Sequence, residues 1–140
     1  MVYSKQVMQD DIICLKGYAL VIKEIRSNCV EGYLLQVGLG SYSEAWAKTS
    51  PFIIDEDLLW HLGFELDHDK VWVLEVDTFR ISYDLNDHNM FFLSSVNKKG
   101  FGHFNVLYLH QIMQLFRIFR LDTINFYKVM KTYKPLNPRE

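Results

Sequence analysis

Apolar positions alternate with polar ones along the first third of the chain, and this alternation predicts strands. The segment DIICLKGYALVIKEIRS (11–27) indicates two strands around a turn at Lys16-Gly17. A third strand, CVEGYLLQVG (29–38), follows after a polar pair. Short antiparallel strands with turn signals about every ten residues are typical of a small curled sheet or barrel.

A two-turn helix is predicted next, because both of its ends are marked. Asp55 suits the N-cap position, and the two acids after it favour the positive end of the helix dipole. Three leucines then form one apolar stripe. Gly63 suits the left-handed residue that commonly follows a helix.

Three strands of a meander are predicted after this helix. They are VWVLEV (71–76), TFRISYDL (78–85) and NMFFLSSV (89–96), in which apolar and polar residues alternate. The segment KKGFGH (98–103) is predicted to be a loop.

The segment VLYLHQIMQLFRIFRL (106–121) predicts an amphipathic helix. At 100° per residue its apolar side chains fall within an arc of about 160°, wide enough to close a sheet. They are Leu109, Ile112, Met113, Leu115, Phe116 and Phe119. The chain then continues with a short strand or helix, and we expect a frayed basic tail at 135–140.

The opposite side of this helix carries His110, Gln114 and Arg117, which share one face. One interpretation is structural: His110 binds a backbone carbonyl or a strand end, while the other two are solvated. The alternative is a recognition face for a partner, which would also explain Ile118 among the polar residues. Both interpretations stay open at this point.

Three segments together resemble a family of small proteins found in gut Bacteroidetes genomes and their phages. The opening of that family is similar to the segment DIICLKGYALVIKEI. Its middle signature, near PIPLTEEWLLKLGFE, is similar to PFIIDEDLLWHLGFE. Its C-terminal signature, near YVHQLQNLYFALTGEEL, is similar to YLHQIMQLFRIFRLDTINF. The resemblance covers Asp11 to Phe126, and His110-Gln111 is its most specific part. It implies an SH3-like N-terminal sheet, a short helix, a meander and a closing helix. The family's Thr-Gly after the last helix is absent here, where Arg120-Leu121-Asp122 stands instead.

The length of 140 residues and the 49% hydrophobic composition are those of one folded domain. We expect a single α+β domain at 1–134, with a sheet lobe at 11–54 and a helix-meander-helix lobe at 55–126. The net charge of −2 argues against strong non-specific binding of DNA by the whole molecule. The charge is uneven, however, because acids dominate from 55 to 88 and bases dominate from 117 to the end.

The two cysteines, Cys14 and Cys29, lie in apolar strands without a neighbouring histidine, which is typical of a reduced intracellular protein. No stretch reaches the ~18 apolar residues of a membrane span, and the first residues lack the apolar core of a signal peptide. The sequence therefore predicts a cytoplasmic protein that does not enter a membrane.

Residue patterns that would indicate catalysis are missing from the sequence. Gly38-Leu39-Gly40 lacks the third glycine of a dinucleotide loop, and there is no HExxH or paired Cys-His spacing. The segments at 67–69 (DHD) and 87–89 (DHN) could each offer metal ligands, but Asp and Asn are also favoured in turns, which is our interpretation. We therefore expect no enzyme, no cofactor and no metal.

Two functions remain. The first is a non-catalytic module, a phage or mobile-element accessory protein, that binds another protein. It would do so through its strand edges and aromatic grooves, or through the helix face formed by His110, Gln114, Arg117 and Ile118. The alternative is nucleic-acid binding, with sheet aromatics for stacking and basic residues for phosphates. Those basic residues are Lys128, Lys131, Lys134 and Arg139.

Overall fold

A computed structural model describes residues 1–2, 4–38 and 40–135 of the chain. The chain forms two compact units. The first combines Met1–Ile53 with the segment that begins at Tyr108, and the second is Ile54–Leu107. Each unit contains an antiparallel sheet and at least one helix, so the predicted α+β class is confirmed.

The first unit contains a five-stranded antiparallel sheet that curls into a half-barrel. Its strands are β1 (Ile12–Leu15), β2 (Tyr18–Ile25), β3 (Cys29–Leu34), β4 (Tyr42–Ala45) and β5 (Thr49–Ser50). They pair in the order β4-β3-β2-β1-β5. Lys16 and Gly17 have φ angles of 51° and 85°, as a tight hairpin turn requires, so the predicted turn is confirmed. A register shift between Ile22 and Glu24 bends β2 and helps the sheet to curl.

Two helices complete the first unit: α2 (Leu109–Ile118) and α3 (Ile124–Met130). Leu109, Met113 and Phe116 are buried, so the predicted apolar face of α2 is confirmed. This helix was predicted to lie in one lobe with the meander. In the structure α2 instead contacts β1, whose four residues are all buried, and it belongs with the first sheet.

Helix α2 ends without the glycine that usually occupies the residue after the C-cap. Arg120 takes that position with a φ of 58°. Its amide donates to the Arg117 carbonyl at 3.1 Å, and the Leu121 amide donates to the Phe116 carbonyl at 2.8 Å. These two bonds form a Schellman motif, so an arginine supports the helix end at which the resembling family has Thr-Gly.

The second unit contains a short helix and another five-stranded antiparallel sheet. The elements are α1 (Glu56–His61), β6 (Glu65–Leu66), β7 (Trp72–Val76), β8 (Phe79–Asp84), β9 (Asn89–Ser94) and β10 (Gly100–Asn105). The strand order is β10-β9-β8-β7-β6. The predicted meander corresponds to β7, β8 and β9 and is confirmed. One face is buried, with Ile81, Tyr83 and Phe92 among the fully buried side chains.

The loop predicted at 98–103 is wrong, because most of that segment belongs to strand β10. Its two glycines disfavour a strand when the sequence is considered alone. In the structure the ring of Phe91 lies over both of them: a Cβ added to Gly100 or Gly102 would meet this ring at 2.3 or 2.4 Å. An aromatic ring on the neighbouring strand therefore covers the glycines and compensates for their missing side chains.

The predicted helix at Asp55 is confirmed at both ends. The Asp55 carboxylate accepts a hydrogen bond from the Leu58 amide at 2.8 Å. At the other end Gly63 has a φ of 98°, and its amide donates to the Trp60 carbonyl. Leu58 and Leu59 are fully buried, which fixes α1 in the second unit.

Candidate functional site

The polar side of α2 lies against a buried carboxylate of its own unit. Asp11, the residue before β1, is fully buried. Its Oδ2 accepts hydrogen bonds from the Met8 amide and from Gln114 Nε2, both at 2.8 Å, and its Oδ1 accepts one from Arg117 Nη1. Gln114 also donates to the Gln6 carbonyl at 3.0 Å. These contacts fasten α2 to the segment before β1.

Arg117 is only partly accessible and carries the charge that neutralises Asp11. Burial lowers the pKa of Arg117, but the hydrogen bond and charge of Asp11 outweigh this effect and raise it above its usual value. Nearby, the Tyr127 hydroxyl donates to the Asp10 carbonyl at 2.5 Å, which links α3 to the same segment. Gln114 and Arg117, which the structural interpretation left in solvent, thus bind the protein itself.

His110 is buried, with 2% of its surface exposed, and its ring stacks on Tyr108 at 5.7 Å between centroids. Burial lowers the pKa of His110, and the charge of Asp11 opposes this shift only in part. Among the residues that the structure describes, its Nδ1 has no hydrogen-bond partner, so this nitrogen does not make the expected bond to a carbonyl. The imidazole is a neutral core group.

Of the four residues predicted to bind a partner, Ile118 alone is exposed, at 71%. It lies at the end of α2, beyond the cluster around Asp11. The helix face named by the sequence analysis is therefore mainly internal, and it offers a partner one apolar side chain.

The basic residues that were candidates for nucleic acid lie in and after α3. Lys128, Lys131 and Lys134 are all exposed. Arg139 and the rest of the predicted tail from Leu136 lie outside the described residues. Lys128 lies in α3, and Lys131 follows it at the end of the helix. Because three positions correspond to about one helical turn, these two side chains lie on nearly the same face.

The two segments that could have offered metal ligands form turns. Asp67 Oδ1 accepts hydrogen bonds from the amides of Asp69 and Val71, both at 2.9 Å, which confirms the predicted turn role. His88 contacts the Tyr83 hydroxyl through Nδ1 at 3.2 Å. Within residues 1–2, 4–38 and 40–135 there is no group of three or more metal-ligating side chains.

The two cysteines differ in their environments. Cys14 is buried, and desolvation raises the pKa of its thiol, which makes it a poor nucleophile. Cys29 is half-buried at the start of β3. Neither cysteine forms a disulfide.

A cleft of about 430 Å³ lies at one edge of the second sheet. Its lining includes Glu65, Leu66, Val73, Glu75 and Arg80. The cleft is where β6 stops: β6 has two residues and pairs with Trp72 and Val73, whereas β7 continues to Val76. In the described part of the chain no strand pairs with the rest of β7 on that side.

This cleft was not predicted, because a two-residue strand has no periodicity to detect. The available signal was indirect. In the segment GFELDHDKVW, only three residues separate Gly63, which ends a helix, from the turn at Asp67. This spacing leaves room for only a short strand opposite β7.

None of the helices in the part of the chain that the structure describes is long and apolar enough to cross a membrane. Comparisons of the chain with protein-family models, with curated proteins and with solved structures found no match.

Proposed function

We propose that this protein is a non-catalytic interaction module that binds another protein by accepting an extended segment at the edge of its second sheet. The observation that carries the proposal is the uncovered part of β7, residues 74–76, which lies beside the 430 Å³ cleft. Extended peptides commonly add to exposed sheet edges, where main-chain hydrogen bonds give affinity and adjacent pockets give specificity.

The polar groups elsewhere support binding over catalysis. Gln114 and Arg117 converge on Asp11, and their side chains donate hydrogen bonds to its carboxylate within the protein. This carboxylate is fully buried. The cleft itself holds three carboxylates and one arginine, and three of these four side chains, those of Glu65, Glu75 and Arg80, are exposed to solvent.

The resemblance to small proteins of gut Bacteroidetes and their phages supplies the biological setting of this proposal. We accordingly propose a phage or mobile-element accessory protein that works in the cytoplasm.

Panning of a displayed library of random heptapeptides on the full chain tests the proposal. Selected peptides should bind wild type and lose binding to Glu75→Pro, which removes one edge amide and places a ring in the gap. Leu93→Ala removes an exposed apolar side chain from the middle of the same sheet and should leave binding unchanged. Circular dichroism checks that each variant is folded. Failure to select any peptide, or binding that survives Glu75→Pro, would exclude strand addition at β7.

A second function, nucleic-acid binding, has its own supporting observation. The first unit contains eleven Lys or Arg residues against seven Asp or Glu residues, and Lys128, Lys131 and Lys134 are exposed. A filter-binding titration with single-stranded DNA at low and high salt tests it. Phosphate contacts require affinity that falls steeply with salt, and a triple Lys→Gln variant should abolish it. A salt-independent signal would contradict this function.

A further inference from the structure

The gap beside β7 is fixed by the chain that precedes β6. Gly63 and Phe64 donate their amides to the Trp60 and Leu59 carbonyls, so both residues are committed to the end of α1. Strand β6 therefore cannot extend backwards to pair with Leu74–Val76. The uncovered edge is about 10 Å long, the length of three extended residues.

The backbone of Glu75 is directed into this gap. The Asp67 amide donates to the Val71 carbonyl at 2.9 Å, and Val73 pairs with Glu65. Along an antiparallel strand every second residue directs its amide and carbonyl to the same side. After Val71 and Val73, that residue is Glu75, whose donor and acceptor face the position of an added strand.

The charge beside the gap is negative. Three carboxylates line the cleft, and Arg80 is the one cation among its lining residues. Arg80 Nη1 lies 3.4 Å from Glu75 Oε1, and both side chains are about half exposed or more, so this pair is weak. The second unit as a whole has ten acids and four bases. An acidic segment would be repelled here.

The cleft also offers apolar surface for the stem of a long side chain. Val73 pairs with Glu65 and precedes Glu75 by two residues, so this half-buried valine lies on the same sheet face as both carboxylates. Lysine and arginine side chains bury their methylene stems on such surfaces while their charged ends stay near water and carboxylates.

We propose that the segment bound at β7 is basic: an extended stretch of the partner protein that places one Lys or Arg in this cleft, with its cation between Glu65 and Glu75. This assignment rests on the proposed function and adds the chemistry of the partner to it. The main-chain bonds to Glu75 hold the segment, and the carboxylates select its central side chain.

Fluorescence polarisation with the full chain tests the assignment. The probe is a labelled, end-capped heptapeptide of alternating Val and Thr with a central Lys, compared with otherwise identical peptides that carry norleucine or Glu at the centre. We expect binding of the Lys peptide, a roughly tenfold weaker norleucine peptide and no detectable binding of the Glu peptide. A tenfold loss corresponds to about 1.4 kcal/mol, within the range of one partly desolvated ion pair.

Variants separate the charge from the backbone. Glu65→Gln with Glu75→Gln should make the Lys and norleucine peptides bind equally, and Glu75→Lys should reverse the preference towards the Glu peptide. Asp87→Asn, which removes one negative charge from an exposed turn of the same unit, should alter nothing.

The failures are distinguishable. If all three peptides bind equally to wild type and Glu75→Pro abolishes binding of each, strand addition stands and the basic ligand is excluded. If none of these peptides binds and library selection also yields none, the proposed function itself falls.

Discussion

Arg117 on α2 donates a hydrogen bond to Asp11, a fully buried residue that lies 106 positions earlier in the chain. The pair joins the last long helix to the entrance of the first strand. Because Asp11 also accepts hydrogen bonds from Met8 and Gln114, one carboxylate joins two segments, the residues before β1 and helix α2.

Removal of the Arg117 cation should therefore destabilise the folded protein strongly. Arg117→Met leaves a buried carboxylate without its counterion, and we expect the free energy of unfolding in urea to fall by about 3 kcal/mol. The double variant Asp11→Leu/Arg117→Met should lose clearly less than the sum of the single variants, because no charge remains buried. Lys128→Met, at an exposed position, is the control. Strict additivity would show that the pair is not coupled.

The buried His110 makes stability depend on pH. Its pKa is lowered in the folded state, so the folded protein holds it neutral while the unfolded chain binds a proton below its ordinary pKa of 6.5. The contribution is complete above about pH 6.5 and is lost as pH falls towards the lower folded-state pKa.

Replacement of this imidazole by a benzene ring tests that account. His110→Phe keeps the stack on Tyr108 and removes an unpartnered buried nitrogen, so we expect a gain of about 1 kcal/mol at pH 5.5 and a smaller gain at pH 7.5. Urea unfolding at the two pH values measures the difference. His68→Gln, at an exposed position, should keep the wild-type dependence of the unfolding free energy on pH. The same dependence in His110→Phe would contradict the view that His110 causes it.

Position 32 in β3 requires glycine, because the backbone of β2 passes very close to it. A Cβ at this position would lie 2.0 Å from the Val21 carbonyl oxygen, a backbone atom that cannot turn away. We expect Gly32→Ala to destabilise by about 3 kcal/mol, visible as a lower Tm. Gly100→Ala is the matched control, since its nearest atom is the far end of the half-exposed Phe91 ring, which can move. Equal losses in the two variants would refute the distinction.

Tyr83 should limit stability at alkaline pH. Burial raises the pKa of its hydroxyl to about 12, and this hydroxyl donates to the Val106 carbonyl at 2.6 Å. The contribution is intact below the ordinary pKa near 10 and is lost as pH rises towards 12. Tyr83→Phe should be about 1 kcal/mol less stable than wild type at pH 7, and this deficit should shrink above pH 10. In Tyr18→Phe, at an exposed position, the difference in stability from wild type should not change with pH in this way.

Local signals predicted the elements whose ends and faces are marked within a few residues. Asp55 and Gly63 delimit α1 because capping is a local interaction. Alternation found β7, β8 and β9 for a similar reason, since one buried face requires a period of two.

Interactions across the chain were not predictable in the same way. Strand β10 depends on the Phe91 ring that covers its glycines. Likewise, the spacing of His110, Gln114 and Arg117 placed them on one face, but nothing near them in sequence indicated that Asp11 lies opposite. The cleft at Glu75 was hidden because it arises from where a neighbouring strand ends.

The order of the two units along the chain constrains how the protein is made. The Ile54 amide donates to the Leu107 carbonyl at 3.0 Å, and Ile53 bridges Tyr108, so the chain lies side by side with itself at the two ends of residues 54–107. On the ribosome, residues 54–107 are complete before α2 has emerged. The later-translated helix then has to return to the carboxylate of Asp11, 106 positions before Arg117. Until it does, the nascent half-barrel keeps one apolar side uncovered.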